Sequence, residues 1–109
     1  MTVQGLTELQ EFTSLSLPSP EREIVGAYTG DLLSWVMGRA KSDNAWITIM
    51  SNVNILAVAT LTDVSCIILT ESTTLDGDMC KMAEQKGVNI LSTPLTSYET
   101  AVKLSALGI

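Results

Sequence analysis

The side chains best placed for chemistry in this sequence gather in four short polar clusters. They are Gly30-Asp31, Ser51-Asn52 with Asn54, Thr70-Glu71-Ser72 and Ser92-Thr93. Each follows a run rich in β-branched or apolar residues, the pattern of a strand ending in a turn. In a parallel sheet, turns at the carboxyl ends of the strands line the crevice where ligands bind. Three of the four are expected to open directly into a helix, whose free backbone amides favour an anion. An adenine nucleotide or another phosphorylated metabolite is the ligand class that such an edge admits. The same residue types cap helices and shape turns in any fold, so each cluster has a structural reading beside the functional one.

Other chemistries find less support. The chain has no histidine, which removes the usual triad base, the commonest metal ligand and the simplest pH switch. Neither the G-x-x-x-x-G-K-[ST] phosphate loop nor G-x-G-x-x-G occurs. No Lys or Arg adjoins the four clusters, so a phosphate there would lack a cationic partner. Asp76-Gly77-Asp78 has the outline of a cation loop without the further acids and closing Glu of an EF-hand. A helix N-cap followed by a first-turn acid explains it better. The serines and threonines have no base to pair with. No catalytic residue, metal or cofactor is expected.

The totals narrow the class further. With 109 residues, 46 % apolar and 17 % charged, the chain has the makings of one folded domain spanning 1–109. A net charge of −6 and six scattered basic residues argue against a nucleic-acid surface. Cys66 and Cys80 lack C-x-x-C spacing and read as free thiols in a reducing compartment. The first residues show neither a basic nor an apolar leader region. The longest apolar run falls far short of the roughly 20 residues of a membrane span. A soluble, cytoplasmic protein is expected.

The elements that must position the clusters are organised around Ala45–Thr70. Ile47-Thr48-Ile49 reads as a short strand, Val53–Leu61 as a helix apolar nearly all round, and Cys66–Leu69 as a buried strand. Before them, Thr2-Val3-Gln4 reads as an edge strand and Thr7–Gln10 as a capping box opening a brief helix to Phe12. Ser14–Leu17 alternates as a half-buried strand that Pro18 and Pro20 end, and Glu21-Arg22-Glu23 reads as a solvated turn. Ile24–Tyr28 is expected as a strand, followed by a helix capped near Asp31 with Leu32, Leu33, Val36, Met37 and Ala40 on one face. Trp35 falls at the edge of that stripe, where a core tryptophan and a contact residue are both open readings. A helix over Gly77–Lys86 would turn Met79, Met82 and Ala83 inward and stop at Gly87. Val88–Leu91 reads as a strand. Thr96–Glu99 is a second capping box, and Tyr98, Ala101, Val102 and Ser105 give the last helix one side. From Ile24 onward the order is β-α-β-α-β-α-β-α. It predicts a small three-layer α/β/α domain with a mainly parallel sheet of four to five strands.

Four segments then carry a family resemblance. They are YTGDLLSWVM at Tyr28–Met37, WITIMSNVNILAVA at Trp46–Ala59, IILT at Ile67–Thr70 and NILSTPLTSYETA at Asn89–Ala101. In order, they resemble the DRTGG domain family. The resemblance implies a fold like the N-terminal domain of HPr kinase/phosphorylase. It also implies a regulatory or assembly role, since such domains stand beside CBS domains in regulated inorganic pyrophosphatases and beside phosphotransacetylase modules. The chain departs from the family in two turns. The expected acid-arginine pair appears as Ser51-Asn52, and the expected Thr-Gly-Gly appears as Thr70-Glu71-Ser72. The first change removes a planar fork for phosphate or carboxylate. The second adds side chains where a backbone would approach an anion.

The function expected is a non-catalytic regulatory or assembly module, a homodimer or a partner of a larger protein. Trp35, Val53 and Leu56 are the expected interface residues, because the Val53–Leu61 helix is too apolar to face water all round. The alternative is a small-ligand sensor that binds a nucleotide at the strand-end turns. Neither nucleic acid nor membrane is an expected partner.

Overall fold

Strands form where short apolar or β-branched runs meet turn residues, and helices form where caps open longer runs. The computed structural model describes residues 1–109. Its elements are α1 (Val3–Thr7), β1 (Thr13–Ser16), β2 (Ala27–Thr29), α2 (Leu33–Arg39), β3 (Ala45–Thr48), α3 (Asn54–Thr62), β4 (Cys66–Leu69), α4 (Gly77–Lys86), β5 (Ile90–Ser92) and α5 (Ser97–Ala106). The five strands make one sheet in the order β1-β5-β4-β3-β2. β2, β3, β4 and β5 run parallel, and only β1 is antiparallel, against β5. The expected α/β class, layering and mainly parallel sheet are what the fold shows.

Successive residues in a strand point to opposite faces, and both faces here are buried. Trp46, Ile67, Leu69 and Ile90 pack with Val36 of α2, Ile55 and Leu56 of α3, and Ala83 of α4. Ala45, Ile47, Cys66, Ile68 and Leu91 pack on the other side with Val3 and Leu6 of α1, Phe12 and Leu104 of α5. That two-sided cover is why Cys66–Leu69 is apolar without alternation. Gly87 ends α4 in the left-handed region at φ 74°, as its place after Lys86 predicts.

Several boundaries differ from the sequence reading, each for a physical reason. Thr2-Val3-Gln4 is not a strand: Thr2 caps α1 by accepting the Gly5 amide at 3.0 Å. The helix expected to start at Thr7 instead ends there, with the Thr7 hydroxyl turned back to the Gln4 carbonyl. Ile24 is buried ahead of the strand, which begins only at Ala27. Ile49 lies beyond β3 and is exposed. β5 sits two residues later than Val88. In α5 the buried residues are Thr100 and Leu104, and Tyr98, Ala101, Val102 and Ser105 share one side, which is the outer one. The Thr96–Glu99 capping box is present with both of its bonds.

Glu21-Arg22-Glu23 is also more than a solvated turn. Arg22 donates to Asp43 at 2.7 Å, to the Asp63 carboxylate at 3.0 Å and to the Asp63 carbonyl at 3.0 Å. It thereby joins the turns that precede β3 and β4. Asp43 and Asp63 both stand in the left-handed region, at φ 68° and 60°. Aspartate tolerates that region better than most side chains.

Candidate functional site

The parallel connections bring the four predicted clusters to one edge of the sheet, at the carboxyl ends of β2, β3, β4 and β5. Built from the residues upward, that edge is a bonded row. Asp31 is exposed, and its Oδ1 accepts from the Thr48 hydroxyl at 2.7 Å and from the Ile49 amide at 2.9 Å. Thr48 Oγ1 in turn accepts from the Met50 amide. The Thr48 carbonyl accepts from the amide of Thr70, whose hydroxyl lies 3.4 Å from that of Ser97. The Thr93 amide donates to the Leu69 carbonyl. Thr70 and Thr93 are buried, while Asp31, Ser51, Asn52, Asn54, Glu71 and Ser72 are exposed.

Asp31 therefore does not cap α2, as its spacing predicts. The cap position is Leu32, which has no side chain to offer an oxygen, and Asp31 closes the end of β3 instead. Gly30 accepts from the indole N–H of the fully buried Trp46 at 2.9 Å, and a Cβ there would stand 3.0 Å from the Tyr28 ring. Its role is to seat two aromatic rings. Asn52 accepts from the Asn54 amide at 3.0 Å, which occupies one of the donors at the start of α3. Ser92 is half-buried at the end of β5.

The turn after β4 is the most constrained part of the row. Glu71 and Ser72 stand at φ 56° and 61°. Their amides donate to the Leu95 and Thr93 carbonyls at 2.9 Å each. Those N–H groups point into the protein's own β5–α5 loop, not outward toward a ligand. With Asp31 and Glu71 as its only charges, the row is acidic and presents no cation to a phosphate. None of the three surface depressions is lined by the clusters; one of them lies on α5 and Glu11, around Tyr98, Val102 and Lys103.

Of the expected interface residues, Trp35 and Val53 are exposed, at 54 % and 48 %. The Trp35 ring carries the Arg39 guanidinium at 4.0 Å from its centroid. Leu56 is a correction: it is 1 % exposed and packs into the core beneath α3. A helix nine residues long that is apolar nearly all round buries four or more positions, and Leu56 is on that side. The sequence reading also missed the cluster of Arg22, Ser42, Asp43 and Asp63. Arg22 is 21 residues from Asp43 and 41 from Asp63, and only two aspartates ahead of apolar strands hinted at the cluster.

Electrostatics separate these groups. The Ser42 hydroxyl bond, joined by the Arg22 charge, holds Asp63 below the usual carboxylate range. Burial works against the charge of Arg22, but its bonds to Asp43 and the nearby Asp63 outweigh it and raise the pKa. Burial pushes the Cys66 thiol up to about 12, which leaves it protonated and unreactive. No buried side-chain polar atom lacks a partner, and no three Cys, Asp or Glu side chains converge as metal ligands would.

Comparison with known proteins adds the following. The DRTGG domain profile matches residues 21–107. No curated protein matches the chain. Among solved structures, the chain is similar to the CBS and DRTGG domains of the regulatory region of Clostridium perfringens pyrophosphatase, complexed with the activator diadenosine tetraphosphate. The TM-score is 0.62 at 18 % identity, over 85 % of this chain and 40 % of that one. At that identity the likeness shows a shared fold. No helix here is long and apolar enough to cross a membrane.

Proposed function

The chain belongs to the DRTGG domain family, and from that membership we propose that it is a non-catalytic regulatory module acting as a homodimer through protein–protein contacts. The observation that carries this reading is the strand-end row itself. Where α/β enzymes place their chemistry, this chain ties the Asp31 carboxylate and the Thr48 and Thr93 hydroxyls to one another or to its own backbone amides. Its exposed apolar side chains lie on helices, on the segments that flank β2, and at Ile49 and Val53 beside the row. A larger protein partner is compatible with the same surfaces, and two free cysteines fit a reducing, cytoplasmic location. Light scattering across a micromolar concentration series tests the proposal. A dimer mass supports it, and a monomer throughout with no co-purifying partner would remove its basis.

A second reading, a nucleotide sensor, draws on the regulatory region of the Clostridium perfringens pyrophosphatase, which was crystallised with diadenosine tetraphosphate. In this chain the acidic row and the inward amides of Glu71 and Ser72 weigh against it. A thermal-shift series with diadenosine tetraphosphate and AMP decides the matter. Ligand at 100 times its Kd stabilises by about 2.7 kcal/mol, so an unmoved midpoint speaks against that reading.

A further inference from the structure

The two edges of the sheet are not alike. β1 carries a register shift between Ser14 and Ser16, and Pro18 and Pro20 follow it. Bulges and prolines are the devices by which proteins stop an edge from pairing further. β2 has none of them. Ala27-Tyr28-Thr29 holds no charge and no proline, and its register with β3 is unbroken.

The phase of its hydrogen bonds is fixed by two flanking contacts. The Ala45 amide donates to the Gly26 carbonyl at 3.0 Å, and the Gly30 amide donates to the Ile47 carbonyl at 3.1 Å. Alternate residues of a strand bond to the same neighbour. Tyr28 therefore turns its N–H and C=O toward β3, while Ala27 and Thr29 turn theirs outward. Both residues are exposed, and their outward groups meet no other part of the chain.

From this we propose that two copies of the chain pair through β2, antiparallel about a two-fold axis at Tyr28. Ala27 of each copy then faces Thr29 of the other, and each such pair exchanges two backbone hydrogen bonds. The two five-stranded sheets become one. The arrangement uses the same patch on both copies, as a closed two-fold dimer must. A short strand alone would hold such a dimer weakly. The segments on either side of β2 supply apolar surface, with Val25, Leu32 and Trp35 exposed at 67 %, 61 % and 54 %. A standard interface covers roughly 800 Å² per partner, about one-seventh of the 5471 Å² surface of this chain.

The inference rests on the homodimer reading above and is tested separately from it. Sedimentation of the full-length protein is compared with that of three charge variants at the exposed pair. Ala27→Glu/Thr29→Glu and Ala27→Lys/Thr29→Lys set like charges opposite one another, so each should weaken dimerisation by about tenfold or more. Mixing the two should restore a heterodimer, and Ala27→Lys/Thr29→Glu should remain dimeric alone. As an independent check, Tyr28→Cys in a Cys80→Ser background should form a disulfide across the axis, because residues facing each other there have Cα atoms about 4.5 Å apart. A dimer that is indifferent to all three charge variants and forms no such disulfide overturns β2 pairing and leaves the homodimer standing. A wild-type monomer at every concentration overturns both. Capture of unrelated extended peptides by β2, without self-association, also overturns it.

Discussion

Glu71 and Ser72 occupy the left-handed region at φ 56° and 61°, in the two positions where the DRTGG pattern has glycines. A side chain in that region costs roughly 1–2 kcal/mol, because Cβ crowds the following carbonyl oxygen. The turn holds this shape because three hydrogen bonds over-determine it: the amides of Glu71, Ser72 and Thr73 donate to the carbonyls of Leu95, Thr93 and Thr70 at 2.9, 2.9 and 3.0 Å. Glycine would remove the crowding and keep all three bonds, since each is made by the backbone. It would also free the unfolded chain, at a cost of about 0.5–1 kcal/mol per site. The net gain expected for Glu71→Gly/Ser72→Gly is about 1 kcal/mol.

At this chain length 1 kcal/mol raises the melting midpoint by roughly 4–8 °C. Urea unfolding of the double variant, followed by circular dichroism at pH 7, should show that gain with an unchanged m-value. Glu71→Ala/Ser72→Ala is the control. It removes the charge and the hydroxyl but keeps a Cβ at each left-handed position, so it should not stabilise. If the glycine variant is no more stable than the alanine variant, or is less stable than wild type, the strain argument is wrong.

Three further outcomes are expected. Arg22→Met should destabilise by about 1 kcal/mol at pH 7, a figure kept small because Asp63 is 62 % exposed; urea midpoints measure it. Asp63 has a lowered folded pKa, so its contribution is present above the unfolded value of about 3.9 and is lost as the pH falls through the folded value. Midpoints from pH 6 down to 2 should therefore converge for wild type and Arg22→Met. Trp46→Phe leaves the Gly30 carbonyl without its 2.9 Å donor and opens a void in a fully buried site; a loss of roughly 2 kcal/mol is expected in the same assay. A thiol reagent at pH 8 should titrate Cys80 in the native protein and reach Cys66 only in denaturant, since Cys66 is fully buried with its pKa pushed to about 12.

Much of the fold was legible because local and tertiary signals agree in its central part. Cys66–Leu69 and Gly77–Lys86 came out with their expected bounds, the first from an unbroken apolar run and the second from an Asp cap and a Gly stop. The amino-terminal residues misled for the opposite reason. Val3 and Leu6 are buried against the sheet, and that tertiary cover turns a β-branched segment into the short helix α1. The stripe read on α5 is the outer face of that helix. Tyr98 and Val102 have core-like side chains at helical spacing, yet the residues that meet the sheet are Thr100 and Leu104. Periodicity finds a stripe; it does not say which of two stripes the sheet will cover.

The candidate row was legible as a place and not as a chemistry. Topology alone takes Gly30, Asn52, Thr70 and Ser92 to one edge, and the order of strands and helices announces that topology. What each side chain does there depends on backbone direction over distances no motif records. Asp31 reaches the next strand instead of its own helix, and Glu71 and Ser72 turn their amides toward Thr93 and Leu95. The same limit applies more strongly to β2. Its outward groups belong to the backbone and leave no trace in residue type beyond a missing charge and a missing proline. A dimer built there would be held largely by atoms that every sequence has, and so would be specified mainly by what this strand lacks.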